Sequence, residues 1–334
     1  MKRASSFFQA FCSFQNLLTA ARQAHRGSRR NQEATSFFFH LETELLSLRE
    51  AILAGTWQPQ PYRYFEITDP KQRTISVAAF RDRVVHHALV NVLEPLYERC
   101  FIADSFATRK GKGTHAAVGR AQRFLRQNRY FLKTDVEKYF DSIGHDTLLV
   151  LLARKINDRP LLTICEKIIR NGGLASRGLP IGNLTSQFFA NVYLDPLDQF
   201  VKNTLQVPAY LRYMDDFVLF SPEKEDLKNW KPALEDFLQT RLGLVLKPAA
   251  TFLNSRENGL SFLGTRIFPA TVRLRRQNLR RITRRLAARE QAWQQGDLGE
   301  DQFLQSMNSY WALLAAYPTA PLRRSLLNSS IAMT

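Results

Sequence analysis

Cysteine is scarce in this chain of 334 residues, and the three present, Cys12, Cys100 and Cys165, are odd in number and far apart. No CxxC pair and no Cys/His cluster of metal-ligand spacing occurs, which excludes a zinc-ribbon type of site and a disulfide scaffold; reduced thiols of a cytosolic protein are expected. Long hydrophobic runs are missing too. Nothing approaches the ~20 continuous apolar residues of a spanning helix, so no membrane insertion is expected. Internal repeats and low-complexity linkers are absent, which speaks for lobes packed together. Acidic residues are in short supply: 30 Asp and Glu stand against 47 Lys and Arg, a net charge of +17. That excess suits a polyanion much better than a small neutral substrate, with nucleic acid first and an anionic membrane surface second. No acid precedes Glu33, while Arg22, Arg26, Arg29 and Arg30 accumulate. This bias superficially resembles an organellar transit segment. Leu17, Leu18 and Ala21 leading into it also fit an amphipathic helix whose polar face meets phosphate.

What is present is a globular composition, 45% hydrophobic, enough for a main core and one smaller lobe. Residues 1 to 56 read as helical, with Phe37, Leu41, Glu44, Leu45 and Leu48 at helical spacing and Gly55 as the stop. Tyr64 to Val77 reads as short strands around an Asp69–Pro70 turn. A helix is expected over Ala79 to Tyr97, then a strand at FLKTDV from Phe131, and helices over 145–156 and 160–171. Gly178 to Asn183 forms a loop that feeds a helix from Thr185 to Val201. A helix over 225–241 and a strand at Leu244 to Leu246 follow. Beyond Phe262 to Gly264 the composition turns to arginine. Leu279, Ile282 and Leu286 form an apolar stripe there, and Arg276, Arg280 and Arg284 share another face.

The chemistry concentrates in LRYMDDFVLF, Leu211 to Phe220, where Asp215 and Asp216 sit between strand-forming runs. Two adjacent acids in a hairpin turn repel unless a cation neutralises them, and a divalent metal is the simplest cation to do so. An ordinary acidic turn is the plainer alternative. Asp135 ends FLKTDV, and adjacent strands of one sheet bring all three carboxylates to one edge; alone it reads equally as a strand-end or helix-capping Asp. Nucleotidyl transfer needs such a set, because two Mg²⁺ ions about 3.5 to 4 Å apart activate a 3′-hydroxyl and stabilise the leaving pyrophosphate.

With these residues in order, the chain resembles the reverse transcriptases over essentially its whole length. Tyr213 to Asp216 is their signature turn, and DVEKYF, Asp135 to Phe140, resembles their first catalytic block. The resemblance implies that Asp135, Asp215 and Asp216 are catalytic and, with the backbone carbonyl of Val136, bind two Mg²⁺ ions. It also implies that Phe140 gates against a ribose 2′-hydroxyl and that Arg73, assisted by Lys71, neutralises the incoming dNTP triphosphate. GLPIGNLTSQ, Gly178 to Gln187, departs from the group II intron pattern. Ile181–Gly182 with Ser186–Gln187 is instead the pattern of diversity-generating retroelements, and FRDRVVHHAL, RKGKGTH and FLG support it. Ile181, Gly182 and Gln187 are thereby expected at the nucleotide. An isoleucine beside the nascent pair offers contact without hydrogen bonds, so discrimination should fall, which in that family accompanies errors opposite adenine.

Arg109, Lys110 and Lys112, spaced by glycines, read as a flexible cationic loop for phosphate, or else as a solvated loop. The Arg273 to Arg289 face, which carries Arg276, Arg280 and Arg284, resembles together with Trp293 the thumb helix that holds the template and primer backbone. His86, His87, His115 and His145 fit family blocks in structural roles. Lys247 is offset from the place of a lysine that could protonate the pyrophosphate. The implied fold is α/β (α+β), a right-hand polymerase. It comprises an N-terminal helical extension (1–56), fingers (57–130), a palm with an antiparallel sheet carrying the hairpin (131–265) and a helical thumb (266–334), with no room after it for a maturase DNA-binding or endonuclease module. The implied function is RNA-directed, error-prone DNA synthesis from a dedicated template RNA. The expected partners are the template RNA, the RNA/cDNA duplex, dNTPs and a small basic accessory protein, in a bacterial or phage-encoded cytoplasmic setting. The alternatives are a phage-defence reverse transcriptase copying its own noncoding RNA, and a non-catalytic RNA-binding scaffold.

Overall fold

The computed structural model describes residues 7–27, 31–68, 72–172 and 176–331. In chain order the elements are α1 (Phe7–Phe11), α2 (Phe14–His25), α3 (Gln32–Phe39), α4 (Leu41–Leu53), β1 (Arg63–Ile67), β2 (Arg73–Val77), α5 (Phe80–Glu98), α6 (Thr114–Gln127), β3 (Tyr130–Asp135), α7 (Tyr139–Ser142), α8 (His145–Ala153), α9 (Arg159–Arg170), α10 (Leu184–Gln199), β4 (Ala209–Tyr213), β5 (Asp216–Ser221) and α11 (Lys224–Phe237). After these come β6 (Phe252–Ser255), β7 (Leu260–Phe262), β8 (Thr265–Ile267), β9 (Val272–Leu274), α12 (Arg276–Gln294), α13 (Glu300–Ala315) and α14 (Ala320–Ile331). The chain divides into two units, one of residues 1–113, 133–218 and 228–252, the other of 114–132, 219–227 and 253–334.

In the first unit α5 packs on α2 and α10. Small residues make this possible: Ala20, Ala21 and Ala24 of α2 are buried, as are Val84, Val85, Ala88 and Leu89 of α5, so the helices approach closely with few voids. Asn16 joins them, donating to the Ala88 carbonyl (3.0 Å) and accepting from Asn91 (3.1 Å). The hairpin β1–β2 pairs Arg63 with Val77 and Ile67 with Arg73; its expected Asp69–Pro70 turn lies outside the described residues, as do Arg29, Arg30 and Lys71. A four-stranded sheet has the order β4-β5-β3-β6. Phe131, Leu132, Leu211, Phe217, Val218 and Leu219 are all buried, which explains the near-continuous apolar runs flanking the acids.

The second unit joins α6 to a small sheet, β7-β8-β9, and to the helices α12, α13 and α14. Ile282 and Leu286 pack with Leu314, and Leu279 joins them, so the stripe read from sequence is the core of this unit. FLG makes the β7–β8 turn, with Leu263 at φ +46° and Gly264 at φ +80°. Asn278 donates to the Gly264 carbonyl at 2.9 Å, which fixes the turn against the start of α12.

Several elements differ from the sequence reading. The strand expected at Leu244 to Leu246 is a single bridge, Val136 to Leu246. The strands β6 to β9 have three or four residues each, too few for alternation to register. The helices expected to end at 201 and 241 do reach that far, because α10 and α11 continue as π-helical turns, Phe200–Thr204 and Leu238–Leu242. There Phe200 and Phe237 stack with centroids 4.3 Å apart. Among the described residues no helix is long and apolar enough to cross a membrane.

Candidate active site

The β4–β5 turn consists of Met214 and Asp215, with Met214 held at φ +58°. Left-handed backbone is costly for a residue with a Cβ, and the turn is held by more than its own hydrogen bonds. Arg212, on β4, is fully buried and donates through Nη1 to the Met214 carbonyl at 3.0 Å. The turn is tied to β3 as well: the amide of Val136 donates to the Asp215 carbonyl at 3.3 Å. Asp135 therefore ends its strand beside the turn, as expected from the pattern.

Burial pushes the Asp215 carboxyl up to about 7, and the neighbouring Asp135 and Asp216 charges and a hydrogen bond with Asp135 add to the rise. Asp216 is also pushed up by burial, to about 6, against the opposing pull of Lys133. Lys133 lies on β3 and its Nζ stands 2.8 Å from Asp216 Oδ1. The three acids thus share one neighbourhood, yet Asp216 is engaged by an internal cation. Among the described residues no group of three His, Cys, Asp or Glu is arranged to hold a metal ion. Asp135 and Asp215 are a crowded pair of carboxyls whose mutual repulsion calls for positive charge. That donor set fits a hard divalent cation, which needs few protein carboxylates when substrate phosphates and water complete its shell. Lys247, read as offset, is brought to this edge by its amide, which donates to the Asp135 carbonyl at 2.8 Å.

The nucleotide residues fall into two groups. Tyr139 is core, donating to the Ala190 carbonyl, and Phe140 beside it is half-buried. The amide of Leu179 donates to the Phe140 carbonyl at 2.8 Å, and buried His145 contacts the Gly178 carbonyl at 2.8 Å, so the loop before α10 is strapped to α7 and α8. The same loop docks on β2: Ser76 donates its amide to the Ile181 carbonyl at 2.7 Å, and Asn183 donates to the Ser76 carbonyl at 3.1 Å. Gly182 sits at φ +113°, and a Cβ there would meet Ile75 at 2.7 Å. Glycine is required by both conformation and space. Ile181 lines a cavity of about 430 Å³ with Tyr64, Thr74, Asp141 and Arg177. Arg73 opens β2 and is exposed, and Gln187 lies on the first turn of α10, half-buried.

The basic loop departs from expectation. The side chain of Arg109 is only 5% exposed and its guanidinium grips Glu98 at 2.7 to 3.0 Å, while Nη1 donates to the carbonyls of Ile102 and Ser105. Lys112 donates to the Ala103 carbonyl and lies over the Phe106 ring. Lys110 pairs with Glu94 from an exposed position. The expected flexible loop is therefore pinned, and Arg109 is turned inward because its donors find internal acceptors. In the second unit Arg276, Arg280 and Arg284 of α12 are exposed, and Trp293 stacks on Phe303 at 4.8 Å. His86 is buried and pushed down to about 3 by burial, with His87 and Arg83 adding to the fall, so it stays neutral as a core residue.

The family described as Reverse transcriptase (RNA-dependent DNA polymerase) matches residues 68–267. This chain belongs to the reverse transcriptase family. Protein YkfC of Escherichia coli K12 is 28% identical over 273 residues, covering 68% of this chain and 72% of that protein. The group II intron-encoded protein LtrA of Lactococcus lactis is 24% identical over 295 residues, covering 67% of this chain and 49% of that protein. The chain thus spans about half of LtrA. Apo telomerase from Candida tropicalis shares the fold with a TM-score of 0.52 at 13% identity, over 65% of this chain and 49% of the other. The same enzyme solved with a fragment of telomeric RNA also gives 0.52 at 13% identity, over 88% and 58%. The fold is that of a right-hand polymerase, as the sequence implied.

Two features of the candidate site in this reverse transcriptase escape a reading of the sequence. One is Lys133, which engages Asp216. The other is the buried pair Arg212–Asp198, which Asn191 joins by accepting from Arg212 at 3.1 Å. A lysine inside the apolar strand FLKTDV and an arginine inside LRYMDD were the available signals, since charge on a buried strand requires a partner.

Proposed function

We propose that this chain is a reverse transcriptase of the diversity-generating kind, making error-prone cDNA, with errors opposite adenine, from a dedicated template RNA. The observation that carries the polymerase site is the crowded pair Asp135 and Asp215 at one sheet edge, which burial and mutual repulsion leave in need of positive charge. Two Mg²⁺ ions bound there would supply that charge, lowering the pKa of the primer 3′-hydroxyl and stabilising the pyrophosphate. Asp135, Asp215 and Asp216, with the Val136 carbonyl, would hold them.

Arg73, with Lys71, neutralises the triphosphate of the incoming dNTP. Phe140 crowds the 2′ position, and Gly182 and Gln187 shape the nucleotide side of the loop. Ile181 contributes an apolar contact with no hydrogen bond, which lowers the discrimination between right and wrong pairs. Its carbonyl is held by the Ser76 amide on the strand that Arg73 opens, and this supports a joint role for loop and strand. Arg276, Arg280 and Arg284 hold the template and RNA/cDNA backbone by charge, with Lys110 as the exposed cation of the basic loop. The fingers, palm and thumb assignments, the cytoplasmic setting and the small basic accessory protein belong to the same reading.

Primer extension on RNA tests the chemistry: Asp215→Ala should lower dNTP incorporation by about 10⁴-fold while RNA binding persists. An Asp215→Ala protein with full activity would refute the metal assignment. Sequencing the cDNA tests the error-prone reading, since Ile181→Gln should reduce misincorporation opposite adenine. An unchanged error spectrum removes Ile181 from fidelity.

A further inference from the structure

Beneath the hairpin lies a charge network that the polymerase chemistry does not use directly. Arg212 and Asp198 are both 0% exposed and meet at 2.6 Å between Nη2 and Oδ2, with Nε within 2.8 and 3.0 Å of the two carboxylate oxygens. Tyr210 donates its hydroxyl to Asp198 Oδ1 at 2.7 Å. The remaining donor, Nη1, is shared between Asn191 Oδ1 at 3.1 Å and the Met214 carbonyl at 3.0 Å. Asn191 in turn donates to the Ala107 carbonyl and to Thr108 Oγ1. The backbone of Arg212 is held as well: its amide donates to the Asp104 carbonyl, and its carbonyl accepts from Phe106.

Two charges removed from water give little net stability compared with an apolar pair of the same shape. The arrangement has one product that apolar residues could not supply, a fixed donor aimed at the carbonyl of a residue in left-handed backbone, directly before Asp215. Burial works against the charge on Arg212, and Asp198 more than offsets it, so the donor is always charged.

We propose that Arg212, held by Asp198 and Asn191, is a positioning residue that fixes the Met214 carbonyl and thereby sets Asp215 against Asp135 for metal binding. This rests on the metal site proposed above. A lysine at position 212 has one nitrogen and cannot hold Asp198, Asn191 and Met214 together in the planar fork that arginine provides.

The test uses the full chain, with Mn²⁺ as the probe metal read by electron paramagnetic resonance, and with primer extension on poly(rA)/oligo(dT) and thermal melting alongside. Arg212→Lys should stay folded, bind Mn²⁺ about tenfold more weakly and lose about 10- to 100-fold in kcat, with the KM for dTTP unchanged. The double variant Arg212→Met with Asp198→Leu removes both charges without leaving one unpaired in the core, and should fold with the same metal defect. A folded variant with wild-type Mn²⁺ affinity overturns the proposal. So does a lowered melting temperature with wild-type Mn²⁺ affinity below the transition, since the network would then serve stability alone. Wild-type protein and Asp215→Ala separate the two readings. If both bind Mn²⁺ equally the metal site itself fails, whereas normal wild-type binding lost in Asp215→Ala but kept in Arg212→Lys removes only the positioning role.

Discussion

Two basic stretches look alike in sequence and differ once folded: the loop Arg109 to Lys112, and the arginines of α12. In the loop, Arg109 faces inward and grips Glu98 and two carbonyls, so its charge holds backbone in place. On α12 the apolar stripe turns into a core with Leu314, which leaves Arg276, Arg280 and Arg284 on the exposed side. Net charge alone does not separate these cases. What separates them is whether carboxylates and free carbonyls lie within reach, since a guanidinium carries five donors that a buried site must satisfy.

The largest effect that would sharpen this contrast is on stability. Arg109→Ala leaves Glu98 without its partner and frees two carbonyls, and should cost about 2 to 4 kcal/mol in chemical denaturation. Lys110→Ala, at an exposed pair, should cost no more than about 0.5 kcal/mol. Equal losses would break the comparison. Next in size is an effect on binding. Replacing Arg276, Arg280 and Arg284 together with glutamine should weaken RNA/DNA duplex affinity roughly tenfold at moderate salt and reduce the salt slope by about 2 to 3, with stability unchanged. Filter binding across a salt series reads this directly, and an unaltered slope would show that these arginines do not meet phosphate.

A separate effect concerns pH. Asp215 and Asp216 titrate higher in the folded protein, at about 7 and about 6, than unfolded carboxyls do, near ~4. Over that interval the native state keeps protons that the unfolded chain has released, so metal-free stability is fully present below about pH 4, declines above it, and is lost once pH has risen through about 6 and about 7. Melting curves should show this decline in wild type and a shallower one in Asp215→Asn, and added Mg²⁺ should restore stability increasingly over the same window. Identical slopes in the two proteins would exclude Asp215 as their source.

The candidate catalytic edge was legible because its signals are local. Asp135 at the end of an apolar strand and the Tyr213 to Asp216 turn between two others need only strand pairing to meet, and the sheet order β4-β5-β3 supplies it. The stripe Leu279, Ile282 and Leu286 was legible for the same reason, since helical periodicity is written in neighbouring residues. The short strands around FLG escaped notice, because three residues cannot display a period and their pairing depends on partners elsewhere in the chain.

Residue type and spacing along the chain were enough to establish the family, the three candidate carboxylates and the glycine beside Ile181, because each of these is written in a short stretch. Which cations are internal and which are open became visible after folding: Lys133 on Asp216, Arg109 on Glu98 and Arg212 on Asp198 are pairings that no local pattern announces. Charge is a property of a residue, whereas the partner that neutralises it is a property of the fold.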